Sequence, residues 1–105
     1  MDKLLQILKE IGFDYAYSHF EKGEEPARPY ICFMNSSSSP FSADGRIYQD
    51  YNGVDLELYT DRKDPEAENK VRSVLDRHNI VYSRSESWLP EEERYQVWFS
   101  FEMED

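Results

Sequence analysis

Residues 94–103, RYQVWFSFEM, alternate without a break. Tyr95, Val97, Phe99, Phe101 and Met103 fall on one side, and Arg94, Gln96, Trp98, Ser100 and Glu102 on the other. A period of two belongs to a strand with one buried face. That face needs a second layer to cover it, and helices laid on one side of a sheet are the simplest cover. The chain is therefore read for a sheet and for helices with an apolar stripe.

Two segments supply the stripes. Residues 2–11, DKLLQILKEI, repeat apolar positions at intervals of three and four, and Gly12 follows as a natural stop. So short a helix needs to dock on something flat. Residues 64–79, DPEAENKVRSVLDRHN, read as the second helix. Asp64 can cap it, Pro65 suits the first position, and Glu66 and Glu68 suit the positive end of the dipole. Ala67, Val71, Val74, Leu75 and His78 form the inward stripe, Glu66–Lys70 and Glu68–Arg72 are spaced as i, i+4 pairs, and Asn79 can end the helix in a left-handed conformation.

The remaining strands are FDYAYSHF (13–20), YICFMN (30–35), the run within RIYQDYNGVDLELYT (46–60), and IVYSRSESW (80–88), which turns through LPEEE into the last strand. Between the first two, EKGEEPARP carries Gly23, Pro26 and Pro29, turn chemistry expected to reverse the chain. Asn52-Gly53 admits two readings. A type I′ turn would set Asp50 against Asp55, and the alternative is one long strand kinked by a bulge at Gly53, which is favoured. The expected fold is α+β: one domain over residues 1–105, in the order α-β-β-β-α-β-β, with a mostly antiparallel sheet and two helices on one face.

Charge narrows the partners. Twenty-two Asp and Glu against twelve Lys and Arg give a net charge of −10. Nucleic-acid binding rests on clustered positive charge, so sequence-specific nucleic-acid partners are not expected, nor are anionic membrane surfaces. An aromatic content of 15% argues for a folded domain rather than an acidic disordered one. Cys32, the only cysteine, is expected to pack as a small apolar side chain. No signal peptide and no long apolar run is read, so synthesis in the cytoplasm is the expectation.

The sequence carries few groups placed for chemistry. His19 and His78 have no partners at metal-ligand spacing, and His78 sits where a helix C-terminus favours an imidazole. Glu24-Glu25 and Glu91-Glu92-Glu93 read as solvated loop and turn charge. Ser36, Ser37, Ser38 and Ser39 lack a nucleophile elbow and a placed base. No catalytic, metal or cofactor site is assigned, and the protein is read as non-enzymatic.

Two features exceed what a plain monomer requires. Trp98 lies on the polar side of the last strand and Trp88 closes the strand before it. Such aromatics mark a protein contact or lie under a covering helix or loop. The second feature is NSSSSPFSADGR, Asn35–Arg46, read as a flexible loop in which Phe41, Asp44 and Arg46 interrupt the serines.

Taken together, YSHF, PYICFMNSSSSPFSADGRIY, NGVDLELYTDRKDPEAENKVRSVLD and SESWLPEEERYQVWFSFEME, in that order after an N-terminal helix, resemble the tail-completion (tail-terminator, tail-to-head joining) proteins of long-tailed phages and prophages of Gram-positive bacteria. The resemblance spans nearly the whole chain and is densest in VDLELYTDRKDPE. It implies an α+β subunit of a homo-oligomeric ring, hexameric in the family, that caps the tail tube and contacts the tail-tube protein and the head connector. It also implies assembly in the host cytoplasm and residence in the virion neck. On it, Ser36–Gly45 would be an assembly arm with Phe41 as apolar anchor and Asp44 or Arg46 as an intersubunit charge partner. Ser36–Ser39, Phe41, Asp44, Arg46, Trp88 and Trp98 make up the expected interface. Two alternatives stay open: another neck or head-closure component, and a small acidic inhibitor that binds a basic protein surface.

Overall fold

The computed structural model describes residues 2–36 and 51–104. The elements run α1 (Asp2–Ile11), β1 (Asp14–Tyr17), β2 (Tyr30–Ser36), β3 (Tyr51–Thr60), α2 (Pro65–Arg77), β4 (Tyr82–Leu89) and β5 (Arg94–Glu104). The five strands form one sheet in the order β1-β2-β3-β5-β4. Every neighbouring pair except β1–β2 is antiparallel. The fold is the expected α+β arrangement.

Local chemistry sets the helix ends. Asp64 accepts from the Ala67 amide at 3.1 Å, with Pro65 in the first turn. Asn79 takes φ 58° beyond α2 and Gly12 takes φ 92° beyond α1, the left-handed stops that let each chain leave its helix. Leu4, Ile7 and Leu8 of α1 share one core with Val71, Val74 and Leu75 of α2. The same core takes Ile31 and Phe33, Val54, Leu56 and Leu58, and the apolar series Val97–Met103. Both helices therefore cover one face. Glu10 ties them together, accepting from Arg77 at 2.9 Å and contacting His78 Nε2 at 3.1 Å.

Three expectations need correction. First, β1 and β2 are parallel, with Tyr15 beside Ile31 and Tyr17 beside Phe33. The chain does not simply reverse after β1. Residues 18–29 carry it back across the outer face, and twelve residues are about the length a parallel return needs.

Second, Asn52-Gly53 is neither a turn nor a bulge. The register with β5 runs unbroken through Asn52↔Met103, Gly53↔Glu102 and Val54↔Phe101, so the single long strand holds and the kink does not. Residues 46–50 of the expected strand lie outside the described residues.

Third, Glu68 does not pair with Arg72. It is 3% exposed, turned toward β4, and bound by Lys63 and Arg84 at 2.8 and 2.7 Å. Arg72 instead donates to the Tyr82 hydroxyl at 3.1 Å.

Candidate functional site

The face of the sheet opposite the helices divides into two halves. Alternation sends Tyr30, Cys32, Glu57, Tyr59, Arg94, Gln96, Trp98 and Ser100 outward, along with the odd-numbered serines of β4. The returning segment 18–29 closes over the β2–β3 half. Phe20 packs edge-on against Tyr30 at 5.1 Å, and Tyr30 lies 5.5 Å from Tyr59. Arg28 anchors the segment, donating to Asp61 at 3.1 Å and to the Glu93 carbonyl at 2.9 Å.

Beneath that cover lies a cavity of about 110 Å³ bounded by Ser18, Phe20, Glu25, Cys32, Tyr59 and Arg94, among others. Substrate pockets run to roughly 300 Å³ or more, so this space holds a few waters rather than a substrate. Its polar groups are largely engaged with one another. Arg94 donates to the Tyr30 hydroxyl at 2.6 Å and stacks 4.0 Å above the Tyr59 ring. Tyr59 donates to Glu57 at 2.8 Å and accepts from Gln96 at 2.9 Å. The Arg94 Nε is buried and has no protein partner among the described residues, which suits a water in the cavity.

Burial first, and then the Glu57 charge, push the Cys32 thiol up to about 11. A thiol so protonated is a weak nucleophile. Burial and the bond to Glu57 likewise raise Tyr59. These shifts keep both groups neutral, the state a packed interior requires.

A more open hollow of about 340 Å³ lies where α2 begins, walled by Phe13, Pro29, Asp64, Glu66, Ala67 and Lys70. Its polar groups have structural work: Asp64 caps α2, and Lys70 sits 4.9 Å over the Phe13 ring. No group of three or more His, Cys, Asp or Glu among the described residues could hold a metal ion. No described helix is long and apolar enough to cross a membrane.

Among the described residues, no segment covers the β5–β4 half of the outer face. Trp98 stands there 39% exposed, between Glu57 of β3 and Ser85 of β4, with Ser100 and Gln96 two residues to either side. Ser100 donates to Asp55 at 2.7 Å and Gln96 to Tyr59 at 2.9 Å, so polar groups already bonded within the chain lie to either side of the indole. Trp88 is 46% exposed but lies on the helix-side face, opposite Tyr95. The structure does not bring the two tryptophans together. Ser36 is the last residue of β2, paired with Gly53. Ser37, Ser38, Ser39, Phe41, Asp44 and Arg46 lie outside the described residues.

One assembly of charge was not anticipated. At the β4 edge, on the helix side, Glu86 accepts from Lys63 and Arg84, each at 2.6 Å, and from the Tyr95 hydroxyl. Lys63 and Arg84 also hold Glu68, forming a closed chain of two cations and two carboxylates. Bonds from Lys63 and then Tyr95 hold Glu86 at about 2. The strict parity of Tyr82, Arg84, Glu86 and Trp88 was the sequence signal for it.

No family model, no curated protein and no solved structure matches the chain.

Proposed function

We propose that this protein is a non-enzymatic assembly component of the tail-completion type. In this reading it works as a ring subunit that caps a phage or prophage tail tube and joins it to the head connector. The observation that carries the assembly part is Trp98. Its large aromatic side chain stands on a flat, hydrogen-bonded sheet face that no described segment covers. Tryptophan is enriched at protein contacts, where it buries much apolar area at little entropic cost.

The tail-completion class rests on the resemblance across the chain, and a net charge of −10 suits a subunit beside a DNA passage, where a phosphate-repelling lining does not grip the duplex. The neighbours in this reading are the tail-tube protein and the head-connector proteins, with assembly in the host cytoplasm. The acidic-inhibitor reading is less favoured because Glu10, Glu68, Glu86 and Glu92 are bound to cations of the same chain rather than offered to a partner.

The test is Trp98→Ser in the phage background. The purified variant is expected to stay folded and to lose about 1–2 kcal/mol, because the indole is part covered and 39% exposed. The titre of infectious particles is expected to fall at least ten-fold. An unchanged titre would remove Trp98 from the assembly surface.

A further inference from the structure

Strand β4 is an edge strand: among the described residues it pairs with β5 alone. An edge exposes a row of unpaired backbone donors and acceptors, and its side chains decide what can add to it. Residues 82–88 read Tyr-Ser-Arg-Ser-Glu-Ser-Trp. The sequence is centred on Ser85 in an unusual sense: aromatic faces aromatic, serine faces serine, and the two charges are opposite. We infer that β4 pairs antiparallel with β4 of a second copy about a two-fold axis at Ser85, joining two sheets into one of ten strands.

In that register Arg84 lies opposite Glu86 of the second copy and Glu86 opposite its Arg84. Tyr82 lies opposite Trp88, Ser83 opposite Ser87, and Ser85 opposite itself. Cross-strand residues in an antiparallel pair share a face, so each match is between side chains on the same side of the sheet.

Other registers are worse. Sliding by two residues in one direction sets Arg84 against Arg84, and in the other direction Glu86 against Glu86. Sliding by one puts partners on opposite faces. Parallel pairing in register sets like charge beside like. Alternating charges on an edge normally discourage strand addition. Here their signs make one register, with one partner, favourable.

The monomer already prepares the contact. Arg84 and Glu86 are bonded at 2.6 Å along the strand, with side chains 28% and 31% exposed. A guanidinium has five donors and a carboxylate about four acceptor sites, so both can take a cross-strand bond without releasing Glu68 or Lys63. Four charges would then alternate around the two-fold axis. Trp88, 46% exposed in the single chain, would gain Tyr82 of the second copy as a neighbour. On the opposite face the exposed serines 83, 85 and 87 let the backbones approach.

This inference stands apart from the tail-completion reading. A two-fold contact closes at two copies, whereas a ring needs a head-to-tail contact, so the dimer belongs to the free protein. Either can fail alone.

The test starts with the mass of the purified full chain across a concentration series by sedimentation or light scattering. A shift from 12.5 kDa to twice that mass is expected. Ser85→Cys then reads the register. Its Cα–Cα distance to its own copy would be about 4.5–5.5 Å, within disulfide reach. Ser83→Cys would lie four residues, about 13 Å, from its own copy. Oxidation should crosslink Ser85→Cys and leave Ser83→Cys single, while Cys32 stays buried in both.

Ser85→Lys and Ser85→Asp should each dimerise more weakly alone, and an equimolar mixture should bind about ten-fold or more tighter than either. Recovery on mixing also shows that both variants fold. A protein that is monomeric at every concentration overturns the inference. So does a dimer in which Ser83→Cys crosslinks as readily as Ser85→Cys, or one in which mixing restores nothing.

Discussion

Glu68 shows how one side chain is redirected by its neighbours. Helix spacing offers it Arg72 one turn on, but it lies beside the inward stripe of α2 and is only 3% exposed. A carboxylate there needs compensating charge from the sheet side, which Lys63 and Arg84 supply at 2.8 and 2.7 Å. Removing it takes one of two carboxylate partners from each cation and opens a gap at the helix–sheet boundary. Because Lys63 and Arg84 keep Glu86 and some access to water, the loss is discounted from the full cost of a buried pair. Glu68→Ala is expected to lower unfolding stability by about 1–3 kcal/mol, against less than about 0.5 for the exposed Glu66→Ala, in urea denaturation. Equal small effects at both positions would show that the ion chain contributes nothing net. Cys32 teaches the complementary lesson. Its position in an apolar run announced burial, and the structure adds the cause of its inertness, a lid formed by Phe20 and residues 18–29.

At the scale of elements, what the sequence could convey depended on how local the cause was. Both helices, β3 and β5 follow from periodicity and capping residues that lie within each element. The direction of β1 against β2 does not. Gly23, Pro26 and Pro29 mark a break in regular structure, but the same residues serve a tight reversal or a long return. Only the span between Tyr17 and Tyr30 separates the two, since a hairpin loop needs about two to five residues and a parallel return about a dozen. Gly53 misled in the same way: a residue that permits a bulge does not require one when β2 and β5 both hold the register. Trp98 was legible as an outward residue from parity alone, whereas its exposure depends on where residues 18–29 stop covering the face. Trp88 needed the pairing with β5 to be placed on the helix side.

The junction of α2, β4 and β5 also makes a pH prediction. Glu86 is held at about 2, below its ordinary value of 4.5, by Lys63 and Tyr95. A carboxylate whose folded-state pKa is depressed contributes stability that is present above its unfolded pKa and lost as pH falls through the folded one. The urea midpoint of the parent should therefore drop between about pH 5 and pH 2 more steeply than that of Glu86→Gln, which has no such proton to take up. Parallel curves across that window would mean that the Glu86 bonds do not survive in solution.

For the whole molecule, the architecture is a helix-covered sheet whose outer face, among the described residues, is half sealed and half offered. The sealed half holds a cavity of about 110 Å³ and a buried, protonated thiol. The offered half holds Trp98 on a serine-rich floor, beside an edge strand whose charges match a second copy of themselves. In the proposed reading the molecule works through contacts. The tail-completion proposal places those contacts at the junction of a tail tube and a head, and the most direct test is to delete the gene from its phage or prophage and image the particles by electron microscopy. DNA-filled heads separated from tails are expected, with tails of abnormal length or ragged upper ends. Normal, infectious particles would contradict the proposal and direct attention to a cellular protein partner.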